Sequence, residues 1–351
     1  NLLSIAFQGV TCNPPVTVVQ YPLPAEPPNC QPQAPTNVTA FDPKQRDSYS
    51  EQWSLAVDQQ VAKNTVLTLA YRGNRGLRLS GGYNLNNAKP NPDGTPVAAG
   101  APIEYYLSNQ WGTINYAGQF ASSNYNAMNV AIRSQTHGLN LNANYNWAHE
   151  FDDFMGLFEA YQNPRDIKAD WSQGDIDVRS NFTVGLVYNL PKIPLGFSHL
   201  GSGWQLTTIL QGRTGVPVNF SYNEYNPSAG SLRPDCVPGQ SWRAANWSLT
   251  NQFNPAAFTA PKLAFGTCPR NLGRGPNFIQ EDLGVVKETK LGDRLTWELR
   301  GEAFNLPNHP NFSSPGSQVN GYSFGSSYST IGNLVGQGTS RQIQISTKLI
   351  F

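Results

Sequence analysis

Leu139-Asn140-Leu141-Asn142-Ala143-Asn144-Tyr145-Asn146-Trp147 alternates apolar and amide side chains without a break. Successive residues of a β-strand point to opposite faces, so Leu139, Leu141, Ala143, Tyr145 and Trp147 share one face and Asn140, Asn142, Asn144 and Asn146 the other. Four amides in a row are too costly to pack in an apolar core; their face must be wet. The end of the chain repeats the pattern. Arg341 to Phe351 carries Ile343, Ile345, Thr347, Leu349 and Phe351 on one side and Gln342, Gln344, Ser346 and Lys348 on the other. A strand takes roughly 9 to 11 residues to cross a bilayer when tilted, and both stretches have about that length. The terminal stretch reads as the closing strand of an outer-membrane β-barrel.

The same unit recurs upstream as hairpins. Ser50 to Val61 sets Trp53, Leu55 and Val57 against Gln52, Ser54, Ala56 and Asp58; after Lys63-Asn64, Thr65 to Arg72 sets Leu67, Leu69 and Tyr71 against Thr68, Ala70 and Arg72. Tyr125 to Arg133 (Met128, Val130 and Ile132 on the oily side) turns at Thr136-His137-Gly138 into the Asn-rich strand. Asn181 to Asn189 pairs with Trp204 to Thr214 across Pro191 to Gly203, and Gln280 to Thr289 with Arg294 to Phe304 across Gly292-Asp293. In the last of these, Glu298, Arg300 and Glu302 oppose Leu295, Trp297 and Leu299.

The expected fold is therefore all-β: an antiparallel transmembrane β-barrel, partial, of about nine strands. Four shorter turns alternate with excursions near 80–122, 153–178, 215–278 and 307–340, as in barrels with short periplasmic turns and long extracellular loops. Residues 1–47 are crowded with Pro14, Pro15, Pro22, Pro24, Pro27, Pro28, Pro32 and Pro35. Proline cannot donate to a ladder, so this part reads as an irregular, Pro-rich extracellular loop segment, with 48–351 the C-terminal portion of the barrel.

Composition agrees. Only 13% of residues are charged, against about 25% in an average globular protein. A formal net charge of +1 offers no field to steer a nucleic acid, so none is expected as a partner. No apolar run approaches the roughly 20 residues of a transmembrane helix; polar lumen residues hide a barrel from any hydropathy sum. Cys12 with Cys30 and Cys236 with Cys268 are two sequence-local pairs in Pro/Gly-rich stretches, read most simply as loop disulfides in an oxidising compartment, with four free thiols the alternative. No CxxC or Cys/His spacing points to zinc.

Trp53, Tyr71, Tyr125, Tyr145, Trp147, Tyr188, Trp204 and Phe351 fall near strand ends, where aromatic girdles lie at the two membrane interfaces. If Phe351 ends at the periplasm, counting back through the hairpins puts 1–47 outside the cell. Nine strands also leave the first and last parallel, and open edges in lipid leave backbone groups unsatisfied. Asn1-Leu2-Leu3-Ser4 shows neither an initiator Met nor a signal-peptide pattern. The chain is thus expected to begin inside something larger or to have been processed, its edges pairing with further strands.

Several stretches together resemble the barrel of Oar-like TonB-dependent receptors over about 48 to 351. They include Tyr49-Ser50-Glu51-Gln52-Trp53, Tyr71-Arg72-Gly73-Asn74-Arg75-Gly76, Phe253-Asn254-Pro255-Ala256-Ala257-Phe258, Gly273-Arg274-Gly275-Pro276 and Glu302-Ala303-Phe304-Asn305-Leu306-Pro307-Asn308-His309-Pro310-Asn311-Phe312. The resemblance implies a plugged barrel of about 22 strands in the bacterial outer membrane, importing an unidentified solute with energy relayed by TonB. It makes Phe351 the membrane-insertion signal read by the barrel-assembly machinery. Its implied partners are outer-membrane lipid, the N-terminal strands and plug of the same polypeptide, and TonB through that N-terminal part. The other reading is a structural or adhesive surface protein that presents long loops on a barrel scaffold.

The lumen-facing candidates are Asn140, Asn142, Asn144, Asn146, Glu298, Arg300, Glu302, Gln344 and Lys348. His149-Glu150 with Asp152-Asp153 has the residue types of a cation site but reads as a solvated strand end, and Asn308-His309-Pro310 as a loop shaper. His137 and His199 are isolated, and no residue set shows a nucleophile–base pattern. Neither an enzyme nor a cofactor or metal is expected.

Overall fold

The computed structural model describes residues 36–107, 111–153, 161–192, 201–332 and 340–351, together with the short strands Val10–Cys12 and Cys30–Pro32. Among the described residues an eleven-stranded sheet dominates. Nine of its strands follow one another in chain order: β1 (Tyr49–Ala62), β2 (Thr65–Asn84), β3 (Trp111–Thr136), β4 (Leu139–Asp152), β5 (Ser180–Asn189), β6 (Trp204–Arg213), β7 (Phe278–Lys290), β8 (Thr296–Phe304) and β9 (Gln342–Ile350). Each is antiparallel to the next, so β1 and β9 run the same way, and neither pairs on its outer side among the described residues. All nine expected strands are present.

Directly opposed residues share a face, so the register carries the alternation across the sheet. Leu55 stands opposite Tyr71, Tyr71 opposite Met128, and Met128 opposite Trp147. Leu141 stands opposite Leu186, Tyr188 opposite Leu206, Leu206 opposite Val285, and Trp297 opposite Leu349. One face of the sheet is therefore apolar from β1 to β9. Among the described residues much of it is uncovered by protein: Leu55 is 69% exposed and Ile345 75%. An apolar surface that size suits lipid and not water.

The opposite face is polar and bonded to itself. Thr68 donates to Asp58 (2.5 Å), Asn74 to Ser50 (3.0 Å), and Gln205 to Asn189 (2.8 Å). Asn129 and Asn144 exchange amide hydrogen bonds at 3.1 and 3.3 Å.

On the apolar face two glycines make room for aromatic rings. A Cβ at Gly73 would lie 2.1 Å from Cε2 of Trp53, and one at Gly212 2.3 Å from Cε1 of Phe182. Gly73→Val is expected to push Trp53 off the wall and to cost about 1–3 kcal/mol, as overpacking does. Loss of the folded band on unheated gels at a lower denaturant concentration than the parent would report it.

The structure corrects four expectations. Both ends of the 80–122 excursion are sheet, because β2 and β3 run on to Asn84 and back from Trp111. Those strands, 20 and 26 residues long, far exceed a bilayer crossing. The ladder slips between Gly76 and Leu79 and again before Ser80, with Arg78 at φ +53°; a bulge of this kind breaks the two-residue period. Second, residues 1–47 are not wholly irregular. Thr36–Phe41 lies parallel to β3, burying Val38 and Ala40 against Trp111 and Ile114. Third, Tyr125 stands opposite Asn74 and Glu150, so it belongs to the polar face and not to a girdle. Fourth, the 214–277 excursion contains short ladders of its own, such as the hairpin of Arg243–Ser248 with Asn251–Phe253.

The register sets Cys12 opposite Cys30, but their side chains lie outside the described residues, as does His199. Cys236 and Cys268 form a disulfide.

Candidate functional site

Two places carry the polar chemistry: the polar face of the sheet and an assembly of long loops at one end of it. On the sheet, Asn140, Asn142, Asn144 and Asn146 line β4, and Glu298, Arg300 and Glu302 line β8. Arg300 lies 3.5 Å from both Glu298 and Glu302. The register with β9 puts Lys348 opposite Glu298 and Gln344 opposite Glu302, while Glu288 of β7 flanks Glu298 from the other side. This belt of alternating charge nearly neutralises itself. Phe351 follows β9 and is 98% exposed.

The loop assembly has its own core. Asn254 accepts from the backbone N–H of Ala256 (3.1 Å) and caps a short turn begun by Pro255. That turn directs Phe253 and Phe258 onto the fully buried Phe220, with ring centroids 4.8 and 4.5 Å away. Gly273 gives the same ring its space, since a Cβ there would lie 2.6 Å from Phe220. The Cys236–Cys268 bond closes around this core, where Cys268 is buried. In the chain-entropy picture a loop that size contributes about 3–4 kcal/mol. Paired Cys236→Ser and Cys268→Ser changes are expected to open the 214–277 region to protease at a lower temperature while leaving the wall folded, which limited proteolysis followed by mass spectrometry will read.

Arginines tie the assembly to the wall. Arg270 is fully buried. Its guanidinium binds the Asp152 carboxylate at the end of β4, the Asp152 carbonyl (2.9 Å), Asp175 (2.9 Å) and the Asp170 carbonyl (3.2 Å). Arg233 pairs with Asp170 and donates to the Cys268 carbonyl at 2.8 Å. Arg274 reaches Asp177 (2.8 Å) and Gln173 (2.6 Å). Asp153 accepts from the N–H (2.6 Å) and hydroxyl (3.1 Å) of Ser122.

The expected solvated strand end at His149-Glu150-Asp152-Asp153 is thus corrected. Asp152 and Asp153 are buried, because partners distant in sequence arrive for each, Arg270 for Asp152 and Ser122 for Asp153. Among the described residues no group of His, Cys, Asp and Glu has the arrangement of a metal site. Asn308-His309-Pro310 shapes a loop as expected: Asn305, at φ +51°, donates to the His309 carbonyl (2.9 Å) and accepts from its N–H (3.0 Å).

Burial works against the charged form of Asp177. Hydrogen bonds from Arg274, the Glu150 N–H and His149 outweigh it and hold this loop carboxyl below its usual range. A carboxyl depressed on folding stabilises the fold above its unfolded pKa, about 3.9, and that contribution is lost as pH falls through the folded value. The parent is accordingly expected to lose loop protection below about pH 4, and Asp177→Asn to be loosened already at neutral pH with a flatter acid limb. Hydrogen exchange of residues 172–179 against pH checks both.

A sheet with one continuous apolar face, one polar face and a loop assembly at one end is the wall of a transmembrane β-barrel. Residues 3–344 match the family described as outer membrane beta barrel domain. The chain belongs to that family, and its place is the bacterial outer membrane. No curated protein matches it. Among solved structures it is similar to the outer membrane transporter YddB from Escherichia coli, with 7% identity and a TM-score of 0.44 over 92% of this chain. The chain spans 35% of that transporter's length.

Sequence reading named the polar-face residues but missed Arg233, Arg270 and Arg274. Their one local signal was Gly273-Arg274-Gly275-Pro276, an arginine set among residues that let backbone approach closely. Arg270 had none, because its partners are Asp152, Asp170 and Asp175.

Proposed function

We propose that this chain forms barrel wall of a TonB-dependent uptake receptor of the Oar-like type, importing a solute still to be identified. The observation that carries the reading is the continuous polar face of a family-defined outer-membrane barrel. Placed inward, Asn140, Asn142, Asn144, Asn146, Glu298, Arg300, Glu302, Gln344 and Lys348 line a wet lumen whose charges nearly cancel. A lumen of this kind suits a plug that must shift or a polar solute that must pass.

In this reading the short turns are periplasmic, the long loops and the 1–47 segment extracellular, and the role non-enzymatic. The outer edges of β1 and β9 pair with N-terminal strands of the same polypeptide, which also supplies the plug and the TonB contact. Phe351 is the signal for the barrel-assembly machinery. The second reading, a scaffold for adhesive loops, draws support from the loop assembly, which has its own aromatic core, disulfide and buried ion pairs.

The coding sequence upstream of Asn1 separates the two. A plug and a TonB box favour transport, and their absence favours the scaffold. Uptake that stops in a strain lacking TonB confirms the first, and steady conductance in planar bilayers points instead to a passive pore.

A further inference from the structure

Toward the loops the apolar face changes character. Leu55, Tyr71, Met128 and Trp147 form one of its rows. The next row holds Trp53, Gly73 and Asn126, and the one after it Glu51, Arg75, Asn124 and Phe151. The Tyr71 hydroxyl donates to Asn126 (2.6 Å), and Asn126 donates to Asn124 (3.0 Å). A cavity of about 390 Å³ opens here, lined by Trp53, Arg75, Leu77, Asn124, Asn126 and Trp171. Trp171 reaches this face by stacking on Phe151, with ring centroids 6.4 Å apart.

Two exposed arginines mark the place. Arg75 is turned to the apolar face by the register. Arg78, in the bulge, holds its guanidinium 5.4 Å from the centre of the Tyr49 ring, and Tyr49 lies on the same face one row beyond Arg75. Neither arginine forms an ion pair with a carboxylate among the described residues, Glu51 opposite Arg75 included. The other Lys or Arg that the register of the nine strands turns to this face is Lys287, at the short-turn end. Arg75 lies ten residues up β2 from Thr65; at about 3.3 Å per residue and a tilt near 40° that is roughly 25 Å, the height of a barrel's apolar band.

We propose that Arg75 and Arg78 hold the phosphate headgroup of one lipid of the outer leaflet, its acyl chains running down the apolar rows past Trp53, Leu55 and Val57. The cavity continues the surface that already meets lipid, and its cations stand one band height from the short turns. A headgroup reaches them from the bilayer, whereas a solute in the lumen lies on the other side of the wall. The choice of leaflet rests on the orientation proposed above.

The test uses the full-length protein in detergent, with native mass spectrometry counting bound bis-phosphorylated lipid A. The parent is expected to retain one copy. Arg75→Gln is expected to lower retention about tenfold, as loss of a charge-assisted contact does, and Arg75→Gln with Arg78→Gln to lower it further. Dephosphorylated lipid A is expected to bind the parent as weakly as bis-phosphorylated lipid A binds Arg75→Gln. Arg72→Gln, on the polar face opposite Ser54 and Ala127, is expected to retain lipid like the parent. Folding of each variant is read separately from its heat-modifiable gel mobility. Equal retention by the parent and the double variant, or equal binding of the dephosphorylated lipid, overturns the site. So does a loss in Arg72→Gln as large as that in Arg75→Gln, or inorganic phosphate binding as tightly as the lipid. Orientation has its own readout: Tyr322→Cys, at a fully exposed loop position, reacts with an impermeant maleimide on intact cells only if the loops face out. A folded protein in the membrane fraction that fails to label refutes the orientation and leaves the arginine site to be judged by lipid retention alone.

Discussion

Arg270→Met is expected to destabilise the loop assembly by about 3–5 kcal/mol, the cost of leaving a buried charge without its partner. The side chain is fully buried and serves Asp152, Asp170 and Asp175 together. Its loss strands the Asp152 carboxylate at the end of β4 and unties the 161–179 segment from the 214–277 loops. The wall strands do not depend on it. The expected result is a variant that still shows a heat-modifiable barrel band but is cut by protease within 161–179 and 214–277 under conditions that leave the parent intact. Arg270→Lys is expected to recover little, because one ammonium cannot reproduce a fork that reaches several acceptors. If both variants resist protease like the parent, the arginine does not tie loops to wall.

Leu141→Arg and Asn142→Arg are expected to diverge although the residues are adjacent. Leu141 stands opposite Ser134 and Leu186 on the apolar face, and Asn142 opposite Arg133 and Gly185 on the polar one. A charge facing lipid costs up to about 2–4 kcal/mol at the bilayer midplane and less toward the interfaces, whereas one facing a wet lumen is tolerated. Folding yield into liposomes, measured by gel shift against urea, is expected to collapse for Leu141→Arg and to stay near the parent for Asn142→Arg. Equal yields would mean that the sheet does not present its apolar face to lipid. The same reasoning accounts for Lys287, which the register places on the apolar face opposite Trp204. It lies near the short-turn end, bonded to the Glu288 carbonyl (2.8 Å) and Thr289 (3.0 Å), with its ammonium 5.7 Å from the Trp204 ring centre. That is how a cation reaches an interface from a lipid-facing position.

The stretches that carried the family resemblance mostly turn out to serve the fold. Gly73 lies under Trp53, Asn254 caps the turn that aims Phe253 and Phe258, Gly273 lies under Phe220, and Asn305 shapes the His309 loop. They were legible because a glycine, a cap or a left-handed asparagine leaves a local mark. The buried ion pairs left none. Asp152 and Asp153 looked solvated because a local reading sees only their neighbours in the chain.

Alternation alone determined the two faces, the nine strands and their order. Side-chain direction has a period of two, so any run of nine or ten residues declares which of its faces meets lipid. The tertiary structure decided where β2 and β3 end, that Thr36–Phe41 joins the sheet, and that Arg270 meets Asp152 across a separation of 118 residues. A bulge erases the period that a local reading depends on, and a contact between distant residues is set by how the whole chain packs.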